Sequence, residues 1–204
     1  MSDISDQVAS PLGAVTPRLP RGTPANDEDR RVAARQLGRE ARGMLGVAWR
    51  CPCGRPGVVV SAPRLDDGTP FPTTYYLTCP NAVTACSRLE ASGLMATMTA
   101  RLTADEVLAS HYAEAHAAYL ADRDTLGHVD EIDGTSAGGM PGRVKCLHAL
   151  AGHALAAGPG VNPFGDETLA LIGEFWTPDC SARLVDPGTA RRRRDVADDG
   201  RVGA

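Results

Sequence analysis

The chain has 204 residues, 43% of them hydrophobic and only 4% aromatic, enough for one core built largely from Ala, Leu and Val. A formal net charge of -4 argues against a protein that coats nucleic acid, whose footprint would be a basic face, and no stretch approaches the length of a membrane span. Met1 to Asp6 carries neither the basic nor the apolar region of a secretory signal, so the expected compartment is the cytoplasm. There, six cysteines read as metal ligands, reactive thiols or small buried hydrophobes rather than disulfide staples.

Residues 1–25 hold Pro11, Pro17, Pro20 and Pro24 among small and polar residues with no apolar period, which predicts a disordered tail. Asn26 can cap a first helix running to about Leu37, with Asp27, Glu28 and Asp29 favourably placed at its positive end and Gly38 closing it. Three β-like runs follow: Leu45 to Arg50, Val58 to Ser61 and Thr73 to Thr78. Cys51-Pro52-Cys53-Gly54 joins the first two, and the turn-rich Asp66-Asp67-Gly68-Thr69-Pro70 joins the second and third, so an antiparallel meander is the simplest pairing.

After Pro80 the apolar period becomes helical. Asn81 to about Leu89 and Leu94 to Leu102 are short helices. A long one from Thr103 to about Arg123 opens on the capping box Thr103-Ala104-Asp105-Glu106 and carries Leu108, Tyr112, Ala115 and Tyr119 as its stripe. The glycine-bearing loop Asp133 to Met140 leads to Pro141, a favoured first helical residue, and so to a helix carrying Lys145 and Cys146 and ending near Gly158. One last short helix follows Asn162-Pro163. Arg191 to Arg194, followed at once by Asp195, Asp198 and Asp199, reads as a solvated tail. The expected fold is α+β: a small three-stranded antiparallel meander packed against several helices, one domain over residues 26–178 between tails 1–25 and 179–204.

The cysteines carry the strongest chemical signal. Cys51 and Cys53 flank Pro52 at one strand end, Cys79 ends another strand before Pro80, and Cys146 lies early in a helix. If the meander forms, the ends of its first and third strands share one edge, and the thiols can converge. Four thiolates suit tetrahedral Zn²⁺ or an iron–sulfur cluster. The single residue between Cys51 and Cys53 departs from the two usual in zinc knuckles, and metal-free reactive thiols or buried structural cysteines are the alternatives. Cys86 and Cys180 have no such setting and read as ordinary.

Of the 21 basic side chains one is a lysine, Lys145, beside Cys146. Either a compact ammonium is kept where a planar guanidinium cannot replace it, or the composition favours arginine throughout and Lys145 is incidental. On the first reading Lys145, Cys146 and His148 are the candidate catalytic residues, with the helix dipole, Arg143 and Lys145 favouring a Cys146 thiolate. In a continuous helix His148 stands about 200° around the axis from Cys146, which leaves His111 and His116 as outside candidates. Gly138, Gly139, Arg143 and Lys145 form a candidate anion cradle ahead of that helix, although the Gly-Lys-Ser/Thr ending of a P-loop is absent.

Cys51-Pro52-Cys53-Gly54, Thr69-Pro70-Phe71-Pro72-Thr73, Tyr75-Tyr76-Leu77-Thr78-Cys79-Pro80, Ser136-Ala137-Gly138-Gly139-Met140-Pro141, Arg143-Val144-Lys145-Cys146-Leu147-His148 and Gly160-Val161-Asn162-Pro163 together resemble the uncharacterised actinobacterial domain-of-unknown-function family DUF501. The likeness covers roughly residues 27–175 and implies no established activity. Two functions are expected from the residues themselves. One is a cytoplasmic metal- or iron–sulfur-binding protein, its site structural or supporting a protein partner. The other is an enzyme acting on a small anionic or phosphorylated substrate through Arg143, Lys145 and Cys146.

Overall fold

The computed structural model describes residues 18–176. The expectations for residues 1–17 and 177–204, including Cys180 and the arginine cluster, lie outside the described residues. In chain order the elements are β1 (Thr23–Pro24), α1 (Asp27–Leu37), β2 (Met44–Arg50), β3 (Pro56–Ser61), β4 (Tyr75–Leu77), α2 (Pro80–Ala91), α3 (Leu94–Ala104), α4 (Glu106–Asp124), a 3₁₀ turn (Asp130–Ile132), α5 (Leu147–Ala157) and α6 (Pro163–Ile172).

The fold is α+β, and the strands form one antiparallel sheet in the order β1-β2-β3-β4. The three expected strands are the last three. The fourth comes from the segment read as tail: Thr23 pairs with Val47 and Pro24 with Gly46. Arg21, just ahead of it, donates from Nε to Asp122 Oδ2 at 2.7 Å, and the same oxygen accepts the Tyr75 hydroxyl at 2.7 Å. Residues 18–25 are thus ordered by partners distant in sequence, which their own composition does not reveal.

β3 is buried along its whole length because both faces of the sheet are covered. Val58 and Val60 join Tyr75 and Leu77 in the main core beneath the helices after Pro80. Val59 turns the other way, with Val47, Met44 and Ala33 of α1. Removing each of these valines from water contributes about 1.5–3 kcal/mol. The N-terminus of α1 forms as expected, with a capping box in which Asp29 N–H donates to the Asn26 side chain at 2.8 Å, and Arg50 grips the Asp29 carboxylate from the end of β2. α4 departs from expectation at its start. α3 runs through Ala104, so Asp105 rather than Thr103 caps α4, accepting from Leu108 N–H at 2.9 Å.

α5 is the central helix, wedged between β4, α2 and α6. It can lie this close because two glycines mark its contacts. A Cβ on Gly152 would stand 3.1 Å from the Tyr75 carbonyl oxygen, and one on Gly165 of α6 would stand 2.4 Å from the Leu150 oxygen and 2.7 Å from Ala154 Cβ. His153, fully buried on α5, stacks on Tyr75 at 5.8 Å and meets the edge of Tyr119 at 5.1 Å. The Asn162 amide donates to its Nδ1 at 3.2 Å.

Two outcomes test this core. Gly165→Ala forces backbone apart and should cost about 1–3 kcal/mol in urea unfolding, exceeding the gain in helix propensity of about 1 kcal/mol. Burial holds His153 down at about 4, from an ordinary 6.5. Between these values the unfolded chain takes up a proton that the folded chain refuses, so this contribution to stability is lost as pH falls from about 6.5 to 4. His153→Gln should therefore flatten the decline in melting temperature over that interval relative to wild type; parallel curves would show that His153 is not its source.

Candidate functional site

The run before α5 is a turn over residues 138–142 followed by non-helical residues up to Cys146, and this changes the site from what a helix starting at Pro141 would build. Arg143 N–H donates to Gly139 O at 3.1 Å, Lys145 N–H to Gly138 O at 2.7 Å, and Val144 N–H to Thr99 Oγ1 at 2.9 Å. Gly138 (φ 76°) and Gly139 (φ 91°) take the left-handed conformation that this folded-back loop requires. The helix begins only at Leu147, with Cys146 as its N-cap at φ -152° and ψ 110°. The expected anion cradle of Gly138, Gly139, Arg143 and Lys145 is not built on a helix N-terminus. The amides of Arg143 and Lys145 are spent inside the loop, and both side chains are exposed.

The extended conformation of Cys146 itself overturns the expectation that His148 faces away from it. A separation of 200° holds only if both residues are helical. As an N-cap, Cys146 directs its sulfur back to His148, with Sγ 3.8 Å from Nδ1. Glu90, in the last turn of α2, completes the group: its Oε1 lies 3.0 Å from His148 Nδ1 and accepts from the Leu147 N–H at 2.7 Å. Among the described residues, one set of three His, Cys, Asp or Glu ligand atoms lies within 4.8 Å of one another, and it is Glu90, Cys146 and His148.

The four-thiolate set does not assemble. Cys51 and Cys53 lie in the tight turn between β2 and β3, where Gly54 N–H donates to Cys51 O at 2.7 Å. Cys79 caps α2 at the same end of the sheet, its N–H on Gly57 O at 3.2 Å. The convergence of those strand ends is as expected, but Cys146 belongs to the far end of α2. Glu90 stands eleven residues beyond Cys79, about 16 Å along a helix at 1.5 Å per residue.

His148 is held at both nitrogens. Nε2 lies 3.1 Å from the Val83 carbonyl oxygen and 3.2 Å from Ser87 Oγ, so the carbonyl takes a proton from Nε2, and Nδ1 faces a thiol and a carboxylate. The Cys146 sulfur and then the Glu90 carboxylate raise His148 to about 9, against burial, which acts in the opposite direction. Cys86, one helical turn before Glu90 on α2, is fully buried and pushed up to about 12, by burial first and then by Glu90 and Cys146. A mostly apolar cleft of about 370 Å³ opens beside the group, lined by Cys146, His148, Ala149, Val83, Leu37 and the edge strand β4 with its Tyr76.

These residues fall within the match to a known family. The model of the family described as "Protein of unknown function (DUF501)" matches residues 47–170. The chain belongs to this family. No curated protein and no solved structure matches the chain. The match takes in Cys51, Cys53, Cys79, Glu90, Cys146 and His148, so both the expected cysteine set and the observed group belong to the DUF501 region.

Glu90 was not among the expected site residues, although the sequence carries a signal for it, while Cys86, expected to be ordinary, is a buried thiol on the same helix. A carboxylate in the last turn of a helix opposes the helix dipole and calls for a compensating partner, and Cys86 sits four residues before it on the same face. The outside histidines serve other contacts: His116 Nδ1 pairs with Ser136 Oγ at 2.9 Å, and His111 is exposed on α4. Lys145 is exposed, and among the described residues no side chain pairs with its ammonium. Lys145→Arg should therefore change stability by no more than about 0.5 kcal/mol, as surface substitutions do. A larger loss in denaturant unfolding would show that the ammonium is held.

Proposed function

We propose that this protein is a cytoplasmic zinc-binding protein whose metal is held by Cys146, His148 and Glu90, with a fourth coordination position open to the adjoining cleft. The observation that carries this reading is the convergence of three electron-pair donors, Sγ, Nδ1 and Oε1, on one point. Tetrahedral zinc with ordinary ligand distances would set sulfur and nitrogen about 3.5 Å apart and nitrogen and oxygen about 3.3 Å apart. The separations here are 3.8 Å and 3.0 Å. A ligating histidine usually donates its other ring N–H to a carbonyl or carboxylate, and the Val83 carbonyl is placed for that role.

A mixed set with one thiolate suits zinc rather than an iron–sulfur cluster, which draws mainly on thiolates. Three protein ligands leave room for a water or a substrate atom, the arrangement of catalytic rather than closed structural sites. With a net charge of -4, the ligand is a small molecule or a protein rather than nucleic acid. A reducing cytoplasm keeps the ligating thiol available. No helix among the described residues is long and apolar enough to cross a membrane.

A second reading rests on the same geometry without metal. A proton on Nδ1 between the thiolate and the carboxylate makes Cys146, at a helix N-terminus, a nucleophile near Arg143 and Lys145. Metal content separates the two. Full-length protein purified without added chelator should carry one zinc per chain, and competition with a chromophoric chelator should show Cys146→Ser and His148→Gln each losing affinity by about 100-fold or more, at or beyond the upper end of the loss from changing an outer-shell partner. Cys53→Ser should retain the metal. A wild type that binds no zinc, with a Cys146 thiol that alkylates rapidly, would replace the zinc reading with the nucleophile.

A further inference from the structure

The other face of the sheet holds a second concave site. Where α1 ends, a cleft of about 280 Å³ opens over Val59 and Ser61 of β3, walled by Phe71 and Tyr76, and the charged side chains lining it are Arg39 and Arg42. The two rings make a continuous aromatic wall, with centroids 6.4 Å apart and planes inclined by 24°. Arg39 lies over the Tyr76 ring, its Cζ 5.7 Å from the centroid, and donates to the Tyr76 hydroxyl at 3.2 Å and to the Glu40 carbonyl at 2.9 Å.

These partners of Arg39 are neutral. Among the described residues no carboxylate pairs with it, so its guanidinium is positioned by a ring and two uncharged oxygens while its charge stays uncompensated. Arg42 pairs with Asp67 through one terminal nitrogen, and a guanidinium has five N–H donors, so others remain for a ligand. Apolar floor, stacking wall and two forked cations are the elements of a site for a planar anion. The ring contributes dispersion and stacking, and the guanidinium contributes charge-assisted hydrogen bonds.

We propose that this cleft binds a small aromatic anion, with its ring against Phe71 and Tyr76 and its phosphate or carboxylate on Arg39 and Arg42. Leu37 and Tyr76 also line the cleft beside Cys146 and His148, so the two sites share a wall. That the bound molecule is the substrate of the metal centre rests on the zinc reading; that it binds does not.

The test is calorimetric titration of the full-length protein in the presence of chelator, with adenosine 5′-monophosphate and 1-naphthoate as probes and adenosine and inorganic phosphate as controls. At least one aromatic anion should bind with a Kd below about 1 mM. The controls should bind at least about tenfold more weakly, and Arg39→Gln, at an exposed position that leaves the fold intact by circular dichroism, should cost the anion about tenfold or more. Binding of the nucleotide alone would make the ligand a phosphate ester, and of naphthoate alone a carboxylate. Cys146→Ser should leave the affinity unchanged, so a protein that proves metal-free can still sustain this site. Failure of both probes at millimolar concentration, or equal affinity in the Arg39→Gln variant, would overturn it.

Discussion

The position of α5 is the constraint on which the rest depends, and it is set by how closely backbone can approach backbone. Gly152 lets the helix lie against the edge of β4, and Gly165 lets α6 cross it near Leu150. With both contacts closed, the start of α5 is left facing the C-terminal turn of α2. The Leu147 N–H, one of the unpaired donors at a helix start, then meets Glu90 Oε1. A carboxylate unfavourable at its own helix terminus is favourable at the next one, and this exchange holds Glu90 beside Cys146 and His148.

The site so formed sets a sulfur and a carboxylate against one nitrogen of the His148 ring. With the Nε2 proton on the Val83 carbonyl, Nδ1 faces the Cys146 sulfur at 3.8 Å and Glu90 Oε1 at 3.0 Å. A proton on Nδ1 is favoured there by the Cys146 sulfur and then by the Glu90 carboxylate, which raise His148 to about 9 against burial. Cys86 contributes no ligand atom to this set, but its buried thiol, pushed up to about 12, keeps a further negative charge from forming beside it.

The β4 strand separates two kinds of environment by the period of two that any strand imposes. Tyr75 points into the core, where its hydroxyl reaches Asp122 and Arg21 and its ring stacks on His153. Tyr76, one residue on, points out, where it meets Arg39 and Phe71 and forms the wall common to both clefts. One dipeptide thus ties the interior polar cluster to the outer binding surface.

The sequence alone determined the class of the fold, the last three strands and the extent of most helices, because these follow from local period, caps and turn chemistry, as at Asn26, Gly38 and the Cys51–Gly54 turn. It also singled out Cys146 and His148 as residues for chemistry. It could not show that Thr23 and Pro24 join the sheet, since two residues carry no period and their order comes from β2 and from Asp122. Nor could it show that Pro141 fails to start a helix, because the bonds that fold residues 138–146 into a turn ahead of α5 run within the loop and to Thr99 on α3. That single difference moved Cys146 from a helix interior to an N-cap and turned its sulfur toward His148. Glu90 then joined them across 57 residues from Leu147, a contact decided by helix packing and by the unpaired donor at the start of α5, neither of which is written in any local pattern.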